Sequence, residues 1–437
     1  MIVPSACYDR GMADPVRRVH FRPTRSHRRC AVAVLSVLLW GALTVPGSHG
    51  RSDLPRVMPI ATPPSVWSAD LSIAILAFGD NADEPSPLLR TLARHPPVLV
   101  AMAPLARYIR RGAMATAVDQ VLMGLRIAWL SRSEAVWIDQ VAVAREFGLS
   151  DAELAQVAAG PGAGWSPRDA TVLRAADELY YDTVLSEASW STLARRYNAQ
   201  QLIDLIFTGA QYSMQSMLAN SLGVRPAVDT HPSDRWPVGV SRVGPLTRPA
   251  AVRLDTARLS PLPRDEWTSR QREAIESDRT GRRETALATL VRHPALYRAH
   301  ATQAQYIRSD STLSGRVREL LILRMGWLSE AEYGWGEHVP IGKVEGLSAR
   351  EVRSIAVGPT DPAWKPLEAA LLRAVDELFY DDVISDATWA TLAAGFEEAQ
   401  MIDMLLTAAS YRMTAMALNS LGVQPDRGFD RLPNIAR

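Results

Sequence analysis

The chain contains two long stretches of similar sequence, about 200 residues apart, and this internal similarity limits the folds open to it. RAADELYYDTVLSEASWSTL at Arg174–Leu193 returns as RAVDELFYDDVISDATWATL at Arg373–Leu392, with 13 identities over 20 positions. The stretch at Ala199–Pro226 returns in a segment that ends at Pro425. A period near 200 residues is far longer than a solenoid unit, so we interpret the chain as a tandem duplication of one domain.

The similarity and the intervening composition divide the chain into four segments. We expect residues 51–228 and 259–437 to form two domains, named here the first and the second repeat. Residues 229–258 between them are rich in Pro and Arg, which is typical of an extended linker. Residues 1–50 carry basic residues followed by the apolar run CAVAVLSVLLWGALTV and then small residues, which is typical of a secretory signal.

The signal-like segment predicts an exported protein, either periplasmic or secreted. Its apolar run is shorter than the roughly 20 residues that a membrane-spanning helix needs. Cleavage of the signal would leave no stable membrane span. An uncleaved anchor remains an alternative, as does a misassigned start with a cytoplasmic location, because Met12 could also initiate the chain.

Charge and cysteine content exclude several kinds of site. The net charge is +1, and residues 1–50 hold seven Arg against two Asp, so the rest of the chain is mildly acidic. A mildly acidic body without a long basic run argues against a nucleic-acid partner. Both cysteines, Cys7 and Cys30, lie in the signal-like segment. The remaining chain therefore offers no disulfide, thiolate nucleophile or cysteine ligand for a metal.

The apolar periodicity of both repeats predicts an all-α fold. RVRELLILRMGWL has apolar residues at close to helical spacing, and the apolar segment ending at Gly422 predicts one long buried helix. Ser150 with Glu153, and Ser348 with Glu351, have the S-x-x-E spacing of a capping box. The recurring tryptophans are typical of core or oligomer contacts.

The stretch SEAEYGWGEH at Ser329–His338 begins with the same helix-start spacing. Ser329 and Glu332 recur in the first repeat as Ser131 and Glu134. A capping box contributes roughly 0.5–2 kcal/mol through its cap residue, so this recurrence needs no catalytic explanation. We therefore predict that both serine–glutamate pairs cap helices.

His95 and His293 precede a proline in the shared R-H-P sequence, and we predict a structural role for both at a helix start. His338 differs, because it lies on a predicted helix near carboxylates and corresponds to Gln140 of the first repeat. A histidine titrates near neutral pH and can transfer protons. His338 is therefore the histidine that we expect to face a pocket.

Glu319 lies among apolar residues, and Val121 occupies its position in the first repeat. A buried carboxylate needs a basic partner or a pocket, whereas an exposed helix face would need neither. The candidate basic partners are Arg316, Arg318 and Arg324. Glu319 and His338 are both absent from the first repeat. We therefore expect the second repeat to carry the chemistry and the first to keep only the scaffold.

Residues 261–425, approximately, resemble the carboxymuconolactone decarboxylase family, whose relatives include the alkylhydroperoxidase D-like proteins. The resemblance rests on RELLILRMGWLSEAEYGWGEHVPIGKVEGLS, on AVGP and on AQMIDMLLTAASYRM. The first repeat resembles the family more weakly, through its similarity to the second. The resemblance implies a compact all-α bundle that assembles into a ring-like homo-oligomer.

In the peroxidase branch of this family, a Glu is followed by Cys-x-x-Cys and then by His. Glu319 and His338 match the Glu and the His, but Ala331 and Gly334 stand at the two cysteine positions. Peroxide reduction by a cysteine pair is therefore excluded. The string AEYGWGEH resembles the branch of the family that has no cysteines.

This resemblance implies a cofactor-independent lyase or isomerase that acts on a small carboxylated lactone or a related acid. Glu319 and His338 are then the catalytic residues. We expect Arg324 to bind a substrate carboxylate, and Tyr411 and Arg412 to contribute to substrate binding. No metal is required. The alternative is a non-catalytic member of the family that binds a small molecule or acts as a scaffold.

Overall fold

The computed structural model describes residues 55–60, 67–226, 236, 253–275 and 284–433. These residues form eighteen α-helices and no strand, which confirms the predicted all-α class. None of the helices in the described ranges is both long and apolar enough to cross a membrane. The signal-like segment 1–50 and most of the predicted linker 229–258 lie outside the described residues.

The described residues of each repeat form nine α-helices, and matching sequences form matching helices. The first repeat contains α1 (Ala69–Ala77), α2 (Pro87–Leu92), α3 (Pro96–Arg111), α4 (Ala117–Leu130), α5 (Glu134–Glu146), α6 (Asp151–Ala159), α7 (Pro167–Asp182), α8 (Glu187–Ala194) and α9 (Ala199–Leu222). The second repeat contains α10 (Ser269–Ile275), α11 (Glu284–Leu290), α12 (Pro294–Gln305), α13 (Gly315–Leu328), α14 (Glu332–Val344), α15 (Ala349–Val357), α16 (Pro366–Asp381), α17 (Asp386–Ala393) and α18 (Glu398–Leu421).

The two longest helices, α9 and α18, pack against each other more extensively than any other described pair. Each has 24 residues and is apolar on nearly all sides, so each is buried between its own repeat and the other one. Gly223 and Gly422 end them at φ values of +71° and +69°, in the left-handed region that glycine adopts without strain. The long buried helix predicted from sequence is confirmed.

Two of the predicted capping boxes are present. Ser150 caps α6 and Ser348 caps α15. In each, the serine hydroxyl accepts a hydrogen bond from the glutamate amide, and the carboxylate of Glu153 or Glu351 accepts one from the serine amide. These bonds satisfy amides that the first helical turn leaves unpaired.

The capping box predicted for Ser329 and Glu332 is wrong. Ser329 ends α13, and its buried hydroxyl has no hydrogen-bond partner in the described part of the chain. Glu330 then turns the chain with a left-handed φ of +53°. As a result, Ala331 occupies the cap position, Glu332 is the first residue of α14, and its carboxylate pairs with Arg431 at 3.1 Å.

The box predicted at Ser131 is wrong for the same reason. Ser131 ends α4, and Arg132 adopts the same left-handed φ of +53°. Asn220 Nδ2 donates to the Ser131 carbonyl at 2.8 Å, and Asn419 Nδ2 donates to the equivalent Ser329 carbonyl at the same distance. The spacing shared by the repeats therefore reflects a shared turn that an asparagine of the long helix holds.

Two buried side-chain clusters join the repeats. His95 Nε2 lies 2.9 Å from the Tyr306 hydroxyl, which donates to Asp403 at 2.8 Å. The equivalent cluster consists of His293, Tyr108 and Asp204, with distances of 2.8 and 2.9 Å. The helix-start prediction holds for both histidines, because α3 and α12 begin at the prolines that follow them. Their imidazoles, however, bind residues of the opposite repeat.

Arg56 and Arg258 make a second pair of equivalent contacts. Arg56 donates to the Ile384 carbonyl at 2.6 Å and lies 5.2 Å from the centre of the Trp389 ring. Arg258, the last residue of the predicted linker, makes the same contacts with Leu185 and Trp190, at 2.8 and 5.1 Å. The repeats thus contact each other reciprocally, as the two subunits of a symmetric dimer do.

Candidate active site

Glu319 and His338 form a buried pair between neighbouring helices. Glu319 lies on α13 and His338 on α14, and Oε2 of the carboxylate is 2.8 Å from Nδ1 of the imidazole. Their side chains are 1% and 2% exposed. Because water solvates neither group, each offsets part of the free-energy cost of burying the other. The structure therefore brings together the two residues that differ jointly between the repeats.

Arg318 is the basic partner of Glu319. Its Nε donates to Oε1 at 3.3 Å, while other guanidinium nitrogens reach Glu345 at 3.5 Å and the Arg308 carbonyl at 3.0 Å. The carboxylate thus lies between a guanidinium and an imidazole. The first repeat has Gln120 at the position of Arg318. Arg318, Glu319 and His338 are therefore all absent from the first repeat.

The second imidazole nitrogen of His338, Nε2, has no hydrogen-bond partner in the described part of the chain. A carboxylate accepts the Nδ1 proton, which leaves Nε2 unprotonated in the neutral ring and able to act as a base. Nε2 is buried and has no hydrogen-bond partner within the described residues. Such an unsatisfied atom costs about 1–3 kcal/mol of stability, so it is an informative exception in a folded protein.

His338 lies in the wall of a pocket of about 630 Å³, including its mouth. Side chains from α12, α13, α14 and α18 line it, and most of them are apolar. Ala331 and Gly334, the residues at the two cysteine positions of the peroxidase branch, are part of this wall. A largely apolar pocket with a few polar groups is typical of a small-molecule site.

Tyr411 lines the same pocket, as its predicted role in substrate binding requires. Its ring packs on the imidazole of His338 with the centroids 4.9 Å apart and an interplanar angle of 89°. This edge-to-face contact orients the imidazole. Tyr411 therefore belongs to the site, although its hydrogen bond to a substrate stays a prediction.

Arg324, which was predicted to bind a substrate carboxylate, is not among the residues that line the pocket. Arg324 is 5% exposed, pairs with both oxygens of Asp376 at 2.6 and 2.9 Å, and donates to the carbonyls of Ile355 and Ala356. Its donors are thus used inside the fold. Burial raises the pKa of Asp376, although the guanidinium opposes that shift.

The first repeat contains the same ion pair. Arg126 donates to Asp177 at 2.6 Å and to the carbonyls of Val157 and Ala158. Burial likewise raises the pKa of Asp177, against the effect of Arg126. An interaction present in both repeats, including the one without Glu319 and His338, is a structural feature rather than part of the site.

Arg412, which was predicted to contribute to substrate binding, likewise makes its contacts inside the fold. Its side chain is fully buried, and NH1 binds Asp382 Oδ1 at 2.8 Å while NH2 donates to the Tyr180 carbonyl at 2.9 Å. Tyr180 belongs to the first repeat, and its hydroxyl donates to the other oxygen of Asp382. Arg412 therefore holds the two repeats together and does not line the pocket.

Five polar residues of the pocket were not predicted from the sequence: His300, Gln303, Glu337, Ser410 and Thr414. Gln303 and His300 lie on α12, at positions where the first repeat has Leu105 and Met102. The difference between repeats that identified His338 would have identified these two as well. His300 therefore lines the pocket together with His338.

The equivalent region of the first repeat is packed differently. Gly124 stands where the second repeat has Ile322, and a Cβ built there would meet Gln140 at 2.7 Å and Tyr212 at 2.8 Å. The side chains of Gln140 and Tyr212 thus pack directly on α4. The residue that replaces His338 is used for packing.

The charges around the pocket limit what it can bind. Among the described lining residues, none is an arginine or a lysine, and Glu337 carries the one carboxylate. Within the described ranges, no group of three or more His, Cys, Asp or Glu is placed to hold a metal ion. The geometry therefore provides imidazole and other polar groups, but no cationic Arg or Lys side chain, in a largely apolar pocket wall.

Residues 294–377 match the family model described as the Carboxymuconolactone decarboxylase family. The matched segment runs from the start of α12 into α16 and includes both Glu319 and His338. No curated protein and no solved structure matches the chain. The match supports the resemblance of the second repeat to this family.

Proposed function

We propose that the second repeat, with its similarity to carboxymuconolactone decarboxylases, is an enzyme that transfers a proton on a small lactone or related carbonyl compound without a cofactor. The proposal is carried by the Glu319–His338 pair: the residue His338 lines an apolar pocket, and its buried Nε2 has no hydrogen-bond partner among the described residues. The family match supports the reaction class, because decarboxylation of a carboxylated lactone also ends with protonation of an enolate-like anion.

In the proposed step, His338 Nε2 takes a proton from the carbon beside the substrate carbonyl. The electron pair of that C–H bond moves into the ring and gives an enolate. The imidazolium returns the proton to another carbon of the conjugated anion, so the product is an isomer and no co-reactant is consumed. A positioned acid–base group of this kind contributes a rate factor of roughly a hundred to ten thousand.

Glu319 and Arg318 are positioning residues in this proposal. The carboxylate on Nδ1 fixes the tautomer of His338 and stabilises the imidazolium that forms. Arg318 holds the other carboxylate oxygen. Tyr411 is the candidate donor to the enolate oxygen, since it lines the pocket and contacts the imidazole.

The charge of the pocket favours an uncharged substrate over the carboxylated one that the sequence predicted. The two arginines expected to bind the substrate, Arg324 and Arg412, are held in internal ion pairs. No arginine or lysine is among the described lining residues, and a carboxylate removed from water needs a cation or several donors nearby. We therefore propose a neutral lactone as the substrate class.

A binding protein without turnover is the second candidate function. It is favoured by one observation, the nearly complete burial of His338 Nε2. A substrate can reach this atom only after neighbouring side chains have moved. Binding without catalysis requires no such movement.

The test uses α-angelica lactone in deuterium oxide, followed by proton NMR with the full chain. An enzyme is expected to form β-angelica lactone and incorporate deuterium into the ring faster than buffer does. The same ring with a carboxymethyl group in place of methyl should react more slowly. Binding without exchange would support the second candidate, and neither binding nor exchange would contradict both.

Several predictions from sequence remain proposals: the tandem duplication, the ring-like homo-oligomer and the export of the protein. The small-molecule partner is likewise a proposal.

A further inference from the structure

Gln303 is a buried polar side chain in the wall of the pocket. It lies on α12, is 1% exposed, and its Nε2 donates to Ser410 Oγ at 2.6 Å. The same nitrogen lies 3.2 Å from Met214 Sδ. Two contacts therefore fix the carboxamide.

These contacts also orient the carboxamide. The Met214 thioether can accept a hydrogen bond but cannot donate one, so the end of the amide beside it is the nitrogen. Oε1 is then directed away from these partners, and it has no hydrogen-bond partner within the described residues. A buried acceptor without a donor costs about 1–3 kcal/mol, which a bound donor would recover in part.

We propose that Gln303 is the residue that selects the ligand of this pocket, by accepting a hydrogen bond from a hydroxyl group of a small uncharged molecule. The inference rests on the proposed function for the pocket being the active site, and it narrows the substrate class to hydroxylated compounds. A carboxamide is suited to this role, because it is neutral and discriminates a hydroxyl from a hydrogen or a methyl group.

The first repeat contributes to this selection. Met214 lies on α9 of the first repeat and also contacts Ser410 Oγ at 3.5 Å. Phe207 of the same helix packs on His300 with ring centroids 5.4 Å apart. The repeat that lacks Glu319 and His338 thus positions two polar residues of its neighbour's pocket. The first repeat therefore has a structural role in the pocket that does not depend on catalysis of its own.

The test compares two butenolides that differ in one hydroxyl group: γ-hydroxymethyl butenolide and β-angelica lactone, its γ-methyl counterpart. Binding to the full chain is measured by isothermal titration calorimetry, which needs no turnover. We expect the hydroxylated ligand to bind roughly two- to tenfold more tightly, the range that one hydrogen bond supplies.

Gln303→Leu should remove this preference and leave the affinity for β-angelica lactone nearly unchanged. Leucine is the residue at the equivalent position 105, where it is fully buried. Gln303→Met is a second variant of similar length, in case leucine perturbs the fold. The matched control is Gln305→Leu, on the same helix but exposed, which should keep the preference.

Met214→Leu should reduce the preference partially, because it removes one of the two contacts that orient the amide. A preference that survives in both Gln303 variants would overturn the proposal, as would a wild-type chain that binds neither butenolide or binds both equally. The His338→Gln variant separates this inference from the proposed function, because it should lose turnover but keep the preference for the hydroxylated ligand. If the preference is present but no turnover is found, only the catalytic proposal fails.

Discussion

His338 Nδ1 lies 2.8 Å from Glu319 Oε2, and the first repeat has Gln140 and Val121 at these two positions. The pair is thus either present or absent as a unit. A single replacement would leave a buried imidazole or carboxylate without its partner, whereas a double replacement leaves neither.

This relationship predicts thermodynamic coupling. Glu319→Val and His338→Gln should each lower the free energy of unfolding by about 1–3 kcal/mol, because each leaves one buried polar group unsatisfied. The double variant should cost less than the sum by about 0.5–3 kcal/mol. Urea denaturation of the four proteins measures the cycle, and strictly additive effects would contradict it.

Arg324 and Arg126 should behave alike. Replacing either by alanine leaves a partly buried aspartate, Asp376 or Asp177, without its ion-pair partner, which costs about 1–3 kcal/mol of stability. Arg324→Ala should therefore destabilise the chain as much as Arg126→Ala in thermal unfolding. If Arg324→Ala instead lost ligand affinity at unchanged stability, the result would contradict the structural role and support a role of Arg324 in ligand binding.

The capping box at Ser348 predicts an acid-sensitive contribution to stability. The hydrogen bond from Arg316, with those from Ser348, lowers the pKa of Glu351 from 4.5 to about 2. A carboxyl whose pKa is lowered by folding stabilises the native state fully above its unfolded pKa. That contribution is lost as the pH falls from about 4.5 towards 2.

Glu351→Gln should therefore reduce the amount by which the free energy of unfolding decreases between about pH 5 and pH 3. The matched control is Glu153→Gln. Glu153 has the equivalent serine cap, which lowers its pKa, but the first repeat has Val118 in place of Arg316. The control should change the acid slope less, and equal changes in the two variants would contradict the assigned role of Arg316.

The clusters between the repeats predict that two tyrosines act alike. Burial, together with the Asp403 carboxylate, raises the pKa of Tyr306 well above its ordinary value, so its hydroxyl stays a donor. Tyr306→Phe removes the contacts to His95 and Asp403 and should cost about 1–3 kcal/mol. Tyr108→Phe should cost a similar amount in denaturant unfolding, and a neutral effect of either would contradict the cluster.

Local patterns in the sequence predicted the helices, because periodicity and capping act over a few residues. The pairing of Glu319 with His338 was also accessible, since both residues differ between the repeats. The serine–glutamate spacing at Ser329 led to a wrong prediction, because the same spacing fits a helix cap and a turn between two helices. A left-handed residue, Glu330, makes this segment a turn, and the sequence does not indicate that conformation because the residue is not a glycine.

Local sequence patterns could not predict contacts between residues that are far apart in the sequence. Arg324 pairs with Asp376, 52 residues away, and Arg412 contacts Tyr180, 232 residues away in the other repeat. Nothing in the local sequence separates an arginine that binds a ligand from one that forms a buried ion pair. The polar lining of the pocket depends on the same kind of contact, since Met214 orients Gln303 from the first repeat.

The central claim is tested most directly by the rate at which His338→Gln converts α-angelica lactone to β-angelica lactone. The first repeat accommodates glutamine at the equivalent position, so the fold should persist, as circular dichroism will check. We predict a rate lower than wild type by roughly a hundred- to ten-thousandfold, with retained binding of β-angelica lactone. A variant that keeps the wild-type rate would contradict the assignment of His338 as the proton-transferring residue.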